Sequence, residues 1–234
     1  MIDWHCHVLP RMDDGCKNVE ESVSLANMLT MQHIDTVVAT PHFYANDESI
    51  DSFLSRRHES FEILNEHLPK NTLKVVLGAE VRYYQGISRM QGLEALRIDG
   101  SKLLLLEMPM SHWTEYMIRE LIEMSGRTNI KIVLAHIERY LRIQSKNVWE
   151  RLVQNGIMMQ SNASFFNSFA TRRKALSLLS RGMISFLGSD SHNTTSRPPR
   201  IADAYGVVSK KLGIDFICQL NEYGYSMLSS SYSL

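Results

Sequence analysis

The chain is short of several things, and each shortage removes a class of protein. Only three of its 234 residues are cysteine. Cys6, Cys16 and Cys218 are odd in number and irregular in spacing, so they form neither a disulfide framework nor a zinc knuckle. Sparse, unpaired thiols fit a reducing compartment. No apolar stretch reaches the roughly 18 residues that a spanning helix needs, and the first residues do not read as a signal peptide. The expectation is a cytoplasmic protein with no direct membrane insertion. Charge of one sign is also missing: 25 Lys and Arg face 25 Asp and Glu. That excludes a general electrostatic grip on nucleic acid or on an anionic membrane. No low-complexity linker divides the chain, so one domain over residues 1–234 is expected, ending in a short helix and a short loose tail. Hydrophobic residues make up 44%, enough for a sizeable core at this length.

Short apolar runs alternate with helical periods. Strands are predicted at 1–4, 36–39, 73–77, 102–106, 130–134, 156–159 and 183–187. Several are consecutive Val, Ile and Leu, the pattern of parallel strands buried on both faces. Helices are predicted at 19–31, 47–68, 114–125, 146–154, 166–180 and 199–212. Repeated βα units call for a parallel sheet, and seven strands suit a barrel-like closure better than a short open sheet.

The polar residues fall where such a fold gathers them. His5 and His7 follow the first strand, His42 the second, Glu80 the third, Glu107 the fourth, His136 the fifth, and Asp190 with His192 the seventh. The sixth ends in Asn162, a candidate to support those groups from behind. In a parallel barrel all these ends lie on one face, where active sites sit. On a strand, His5 and His7 point one way and Cys6 the other. The other four histidines, His33, His58, His67 and His112, fall in or beside helices and read as solvated. Asp13 and Asp14 follow in a DDG turn in which Gly15 is expected at positive φ, and the residues alone leave both aspartates open. With one of them, five imidazoles and four carboxylates are too many for one ion. Two or three close ions bridged by carboxylate use them naturally, and mixed N/O donors suit Mn²⁺, Fe²⁺ or Zn²⁺. Such a centre acidifies a water and clamps the oxygens of a phosphate ester.

Cysteine chemistry does not compete. A thiolate phosphatase loop needs C-x5-R, whereas Cys6 to Arg11 is C-x4-R and Pro10 removes an amide. Cys6 is expected to pack as a small apolar group. Arg139 and Arg197 lie three and five residues beyond His136 and His192, in loops on the same face, and a guanidinium fork matches phosphate oxygens. A surface salt bridge is the alternative for each, and Arg142 and Arg200 stand nearby. Phe43, Tyr44, Phe165 and Phe166 either line a planar substrate group or pack the rim.

Taken together, MIDWHCH, DDG, ATPH, GAE, LLLEMPM, AHIERY and SDSHNTTSRPPRIADAY resemble the PHP (polymerase and histidinol phosphatase) superfamily. More narrowly, they are similar to bacterial manganese-dependent protein-tyrosine phosphatases of capsule and exopolysaccharide loci. The resemblance runs from residue 1 to about 205. It implies a distorted (β/α)7 TIM-like barrel and three metal ions. It assigns ligand roles to His5, His7, Asp14, His42, Glu80, Glu107, His136, Asp190 and His192, which places Asp14 ahead of Asp13. It implies that Arg139 and Arg197 bind the phosphate, that Mn²⁺ is the cofactor, and that the substrate is a phosphotyrosine protein, a bacterial tyrosine kinase controlling polysaccharide export. A small-molecule phosphatase such as histidinol phosphatase would use the same centre, and a non-catalytic kinase-binding regulator is the alternative from another class. The chain departs from the pattern at Cys6, usually a small polar residue, and beyond Leu212, where NEYGY replaces an Asn-Pro element.

Overall fold

The computed structural model describes residues 1–70 and 72–229. Among them the chain runs β1 (Ile2–Cys6), α1 (Val19–Met31), β2 (Thr36–Ala39), β3 (His42–Phe43), α2 (Ile50–His67), β4 (Lys74–Leu77), β5 (Glu80–Arg82), β6 (Leu103–Glu107), α3 (Glu115–Ser125), β7 (Lys131–Leu134), α4 (Lys146–Gln154), β8 (Met158–Asn162), α5 (Ala163–Asn167), α6 (Phe169–Ser180), β9 (Phe186–Gly188), α7 (Ile201–Leu212) and α8 (Ile214–Leu228). Short 3-10 turns fill residues 87–89, 93–96 and 137–139. Every strand pairing is parallel, in the orders β1-β2-β4 and β3-β5-β6-β7-β8-β9. The result is a mixed α/β fold built on a curled parallel sheet. Its two ends approach each other through a bridge between Cys6 and Ser191.

The consecutive apolar runs divide between two layers by strand alternation. Leu103, Leu105, Val133, Ala135, Val38, Ile2, Trp4 and Phe186 fill the inside of the curl. Leu104, Leu106, Ile132, Leu134 and Val37 face outward onto Leu25, Phe53, Leu64 and Leu121 of the helices. Each fully buried side chain of this kind contributes about 1.5–3 kcal/mol. α8 closes the end opposite the site: Met227 and Leu228 pack on the inner layer, and at Gly224 a Cβ would stand 3.0 Å from the Trp4 ring.

Four expectations change. β1 extends to Cys6, so His5 lies within the strand rather than after it. Nine strands replace seven, because the chain breaks twice: Thr40 and Pro41 separate β2 from β3, and Gly78 and Ala79 separate β4 from β5. Proline has no N–H for the ladder, but the Pro41 carbonyl accepts from the Glu80 amide at 2.9 Å, and Gly78 donates to Ala39 at 2.8 Å. The helix predicted over 166–180 is two helices, broken where Ser168 is extended at φ −70, ψ 128. The short last helix expected from the sequence is a longer one of 15 residues. The loose tail expected after it, with Tyr232, lies outside the described residues. No helix among the described residues is long and apolar enough to cross a membrane.

Candidate metal centre

Glu80, the first residue of β5, is the hub. It is 1% exposed. Its Oε2 lies 3.1 Å from His5 Nε2, 3.3 Å from His7 Nε2 and 3.1 Å from His42 Nδ1, and its Oε1 lies 2.8 Å from His136 Nε2. Glu107, at the end of β6, stands 3.6 Å from His136 Nε2. Asp190 Oδ1 lies 3.7 Å from Nε2 of both His5 and His7. Asp14 Oδ1 lies 3.3 Å from His192 Nε2 and 3.6 Å from His42 Nε2. All nine residues named from the sequence thus meet at one end of the sheet. They resolve into three overlapping sets whose ligand atoms lie within 4.8 Å of one another: His7, Asp14, His42 and His192; His5, His7 and Asp190; His42, Glu80 and Glu107. His136 falls outside these sets and touches them through Glu80.

The groups behind the cluster decide which ring nitrogen faces it. His7 Nδ1 lies 2.7 Å from Asp13 Oδ2, His5 Nδ1 3.2 Å from Gln160 Oε1, and His192 Nδ1 3.1 Å from the Asp190 carbonyl. Each partner is an acceptor, so the ring proton belongs on Nδ1 and Nε2 faces the cluster. Asp13 also accepts from the His42 and Gly15 amides at 2.8 and 2.9 Å. It braces His7 and the backbone at His42, and it is absent from the three sets. Gly15 is not at positive φ, contrary to expectation. Its lack of a side chain answers a close approach, since a Cβ there would stand 2.5 Å from the His7 carbonyl oxygen.

The surroundings demand positive charge. Burial opposes ionisation of Glu80, yet the charge of His5 and bonds from His136, His5 and His7 hold it well below the usual carboxylate range. Burial likewise opposes a charged His7, but the carboxylates of Asp13 and Glu80 push its pKa up to about 10. Asp190 is brought down to about 2 against its burial, chiefly by His5. His192, buried beside His7, falls to about 4 and stays neutral. His42 Nδ1 and His192 Nε2 are buried without an aligned hydrogen bond although carboxylate oxygens stand 3.1 and 3.3 Å away. Ionised carboxylates and unshared imidazole lone pairs aimed at one space are a donor set that fits divalent cations.

Two cluster residues sit in the left-handed region, His136 at φ +33 and Asp190 at φ +54. For non-glycine residues this costs on the order of 1–3 kcal/mol each. The Gln160 side chain accepts from the His136 amide at 2.7 Å, and the Asp190 amide donates to the His5 carbonyl at 2.7 Å. Those bonds hold the strained backbone where its side chains enter the cluster.

Arg139 and Arg197 flank the cluster: their Nη2 atoms donate to Asp190 at 2.6 and 2.9 Å. Both guanidiniums remain partly open to solvent. Of the alternatives, Arg200 pairs with Asp203 at 2.9 Å rather than with Asp190, while Arg142 is exposed. Asn162 donates to Asp190 at 2.8 Å. Phe43, Phe165 and Phe166 are core; Tyr44 alone of that group is exposed, its ring 5.4 Å from His42. The remaining histidines, His33, His58, His67 and His112, are all exposed. Cys6 is fully buried on the other side of β1, where burial pushes its thiol well above the usual range.

Sequence reasoning missed three supports. Gln160 bonds His5, the His136 amide and Asn162; its position two residues before Asn162 on β8 was the available signal. Arg82 holds Glu107 at 2.6 Å. Glu138 accepts from the Ser161 hydroxyl and the Asn162 amide.

The family profile described as capsular polysaccharide synthesis, CpsB/CapC, matches residues 1–223. The chain belongs to the CpsB/CapC family. The match includes every residue of the cluster. The chain is 30% identical to the tyrosine-protein phosphatase YwqE of Bacillus subtilis (strain 168), over 95% of this chain and 89% of that protein. It is 31% identical to the tyrosine-protein phosphatase CpsB of Streptococcus pneumoniae, over 91% of each. A solved structure from work on YwqE and CpsB, described as unique metal-dependent tyrosine phosphatases, superposes with a TM-score of 0.82 at 26% identity, covering 97% of this chain and 94% of that one. CpsB/CapC membership thus joins the cluster to relatives that carry a metal-dependent phosphatase description.

Proposed function

We propose that this chain is a metal-dependent protein-tyrosine phosphatase acting in capsule or exopolysaccharide synthesis, with Mn²⁺ as its metal in two or three sites. The observation that carries the reading is the convergence of five imidazoles and three further carboxylates around Glu80, flanked by two arginines. His5, His7, Asp14, His42, Glu80, Glu107, His136, Asp190 and His192 are the ligands. We also read β2 with β3 and β4 with β5 as single bent staves, which makes the curled sheet a (β/α)7 barrel. Its natural substrate is a phosphorylated bacterial tyrosine kinase.

When bound, divalent ions supply Lewis acidity that activates a water and offsets charge on the phosphate. The chain's own residues do the rest. Asp13, Gln160 and the Asp190 carbonyl fix the imidazoles of His7, His5 and His192 so that Nε2 faces inward. Arg139 and Arg197 turn their forks from Asp190 to the phosphate oxygens and hold the ester in line, stabilising charge that grows in the transition state. The Cys6 thiol, buried and protonated on the far side of its strand, takes no part.

Chelation tests this. The stripped protein is expected to lose p-nitrophenyl phosphate hydrolysis and to regain it on adding Mn²⁺; full activity after verified metal removal would falsify the proposal. Two variants sharpen it. Cys6→Ser should keep its activity within a few-fold, because the thiol is far from ionisation, and His136→Ala should lose most of it. The reverse pattern would restore a thiolate mechanism.

A further inference from the structure

Asp190, at the edge of the cluster, lines a larger space together with Arg139 and Arg197. This cleft of about 600 Å³ is lined by those three residues on the cluster side and by Asn167, Ser168 and Arg200 farther out. A phosphoryl group needs little of that volume, which falls in the range of about 300–1,000 Å³ typical of pockets that enclose whole ligands. The outer wall is where the end of α5 meets the start of α7: the Asn167 side chain donates to the Arg200 carbonyl at 2.9 Å. Next to Ser168, Phe169 begins α6 with 92% of its surface exposed, the most exposed large hydrophobic residue among the described residues.

A solitary exposed apolar side chain needs no explanation. Phe169 differs in its setting: it directly follows Ser168, which lines the cleft, and Arg172 and Arg173 stand three and four residues on in the same helix. Arg172, three residues on, donates to the carbonyls of Phe166 and Asn167 at 3.0 and 2.9 Å, so its guanidinium is held in place by neutral groups. Arg173 is exposed beside it. Arg200 pairs with Asp203 at 2.9 Å, with both side chains more than half exposed. A surface pair of that kind is worth little and yields readily to a competing anion.

We infer that this cleft, together with the exposed Phe169 that follows its lining residue Ser168, is the docking subsite for the polypeptide next to the scissile phosphotyrosine, and that it favours acidic segments carrying an aromatic side chain. The inference rests on the phosphatase reading above. Two observations select the occupant. The cleft is continuous with the cluster, because Asp190 belongs to both and the arginines that bond it, Arg139 and Arg197, line the cleft. A chain whose phosphate lies between those arginines and that follows the cleft outward passes Arg200 and Ser168, the residue before Phe169. The charge of the outer wall is complementary to carboxylates, which guanidinium forks pair with, and the Phe169 ring offers a face and an edge to another aromatic ring.

The test compares kcat/KM for three substrates with the Mn²⁺-loaded protein: p-nitrophenyl phosphate, a phosphotyrosine peptide flanked by Asp, Glu and one aromatic residue, and the same peptide with an alanine flank. The unmodified protein should prefer the acidic peptide. Phe169→Ser combined with Arg200→Ala should lower kcat/KM on that peptide by about tenfold, erase the preference, and leave p-nitrophenyl phosphate turnover unchanged. Both side chains are exposed, so an unchanged melting temperature is expected and confirms that the variant folds. Equal rates on the two peptides with the unmodified protein would overturn the subsite. So would a preference that survives the double substitution, or a loss of the same size on p-nitrophenyl phosphate. If the loaded protein does not hydrolyse p-nitrophenyl phosphate at all, the phosphatase reading itself fails, and the subsite with it.

Discussion

Glu80→Gln is expected to strip the protein of most of its metal and to lower turnover of p-nitrophenyl phosphate by about a thousandfold. One carboxylate touches four of the five imidazoles, at 2.8 to 3.3 Å, and it is almost wholly buried. Glutamine preserves the shape and removes the charge. It also turns an N–H donor toward nitrogens whose lone pairs should meet a cation. A loss of about 4 kcal/mol of charge stabilisation corresponds to roughly a thousandfold in rate. Elemental analysis after dialysis reads the metal content directly. A second readout needs no activity: one of the two anions that lift the pKa of His7 is gone while Asp13 remains, so with metal stripped from both proteins its titration should move part of the way to lower pH, measurable by imidazole NMR. Metal content equal to that of the unmodified protein, with activity within tenfold, would remove Glu80 from the centre of the scheme.

Much of this centre was legible in the order of residues alone. A parallel sheet brings the ends of its strands together, so His5, His42, Glu80, Glu107, His136 and Asp190 could be gathered from the polar residue that closes each apolar run. The supports were harder to see because their meaning is set by contacts across strands. Asp13 reads as turn chemistry until its carboxylate is found 2.7 Å from His7. Gln160 sits in a strand whose neighbours are apolar or small, and only the pairing of β8 between β7 and β9 places it behind both His5 and His136. Arg82 follows Glu80 by two residues, yet its partner Glu107 lies on the next strand. The fold shows the same division. Apolar runs marked the strands, but the breaks at Pro41 and at Gly78 are repaired by cross-strand backbone bonds that no local pattern announces. The break at Ser168 is hidden for a similar reason: the helical period continues across it, while the chain turns to bring Asn167 to the Arg200 carbonyl.

Gly188→Ala should damage the protein from an apparently harmless position. A Cβ there would stand 2.6 Å from His5 Cβ, 2.9 Å from the His5 amide nitrogen and 2.8 Å from Gln160 Nε2. None of these can yield cheaply. The His5 atoms are fixed by β1, and Gln160 bonds His5, His136 and Asn162 at once. Relief requires β9 to move away from β1, at the seam where the Asp190 amide donates to the His5 carbonyl and the His7 amide to the Ser191 carbonyl, at 2.7 and 2.9 Å. Overpacking of this kind costs about 1–3 kcal/mol, or a fall of roughly 2–12 °C in melting temperature for a chain of this size. The larger effect is on chemistry, because misplacing a ligand by about 1 Å costs on the order of a hundredfold in rate. Gly206→Ala is the matched control. Nothing lies within 4 Å of a Cβ at Gly206, in α7, and alanine there should raise stability by up to about 1 kcal/mol with kcat unchanged. Calorimetry and p-nitrophenyl phosphate kinetics on the pair decide the matter. If Gly188→Ala behaves like Gly206→Ala, the close approach of β9 to His5 is not what sets the position of that imidazole.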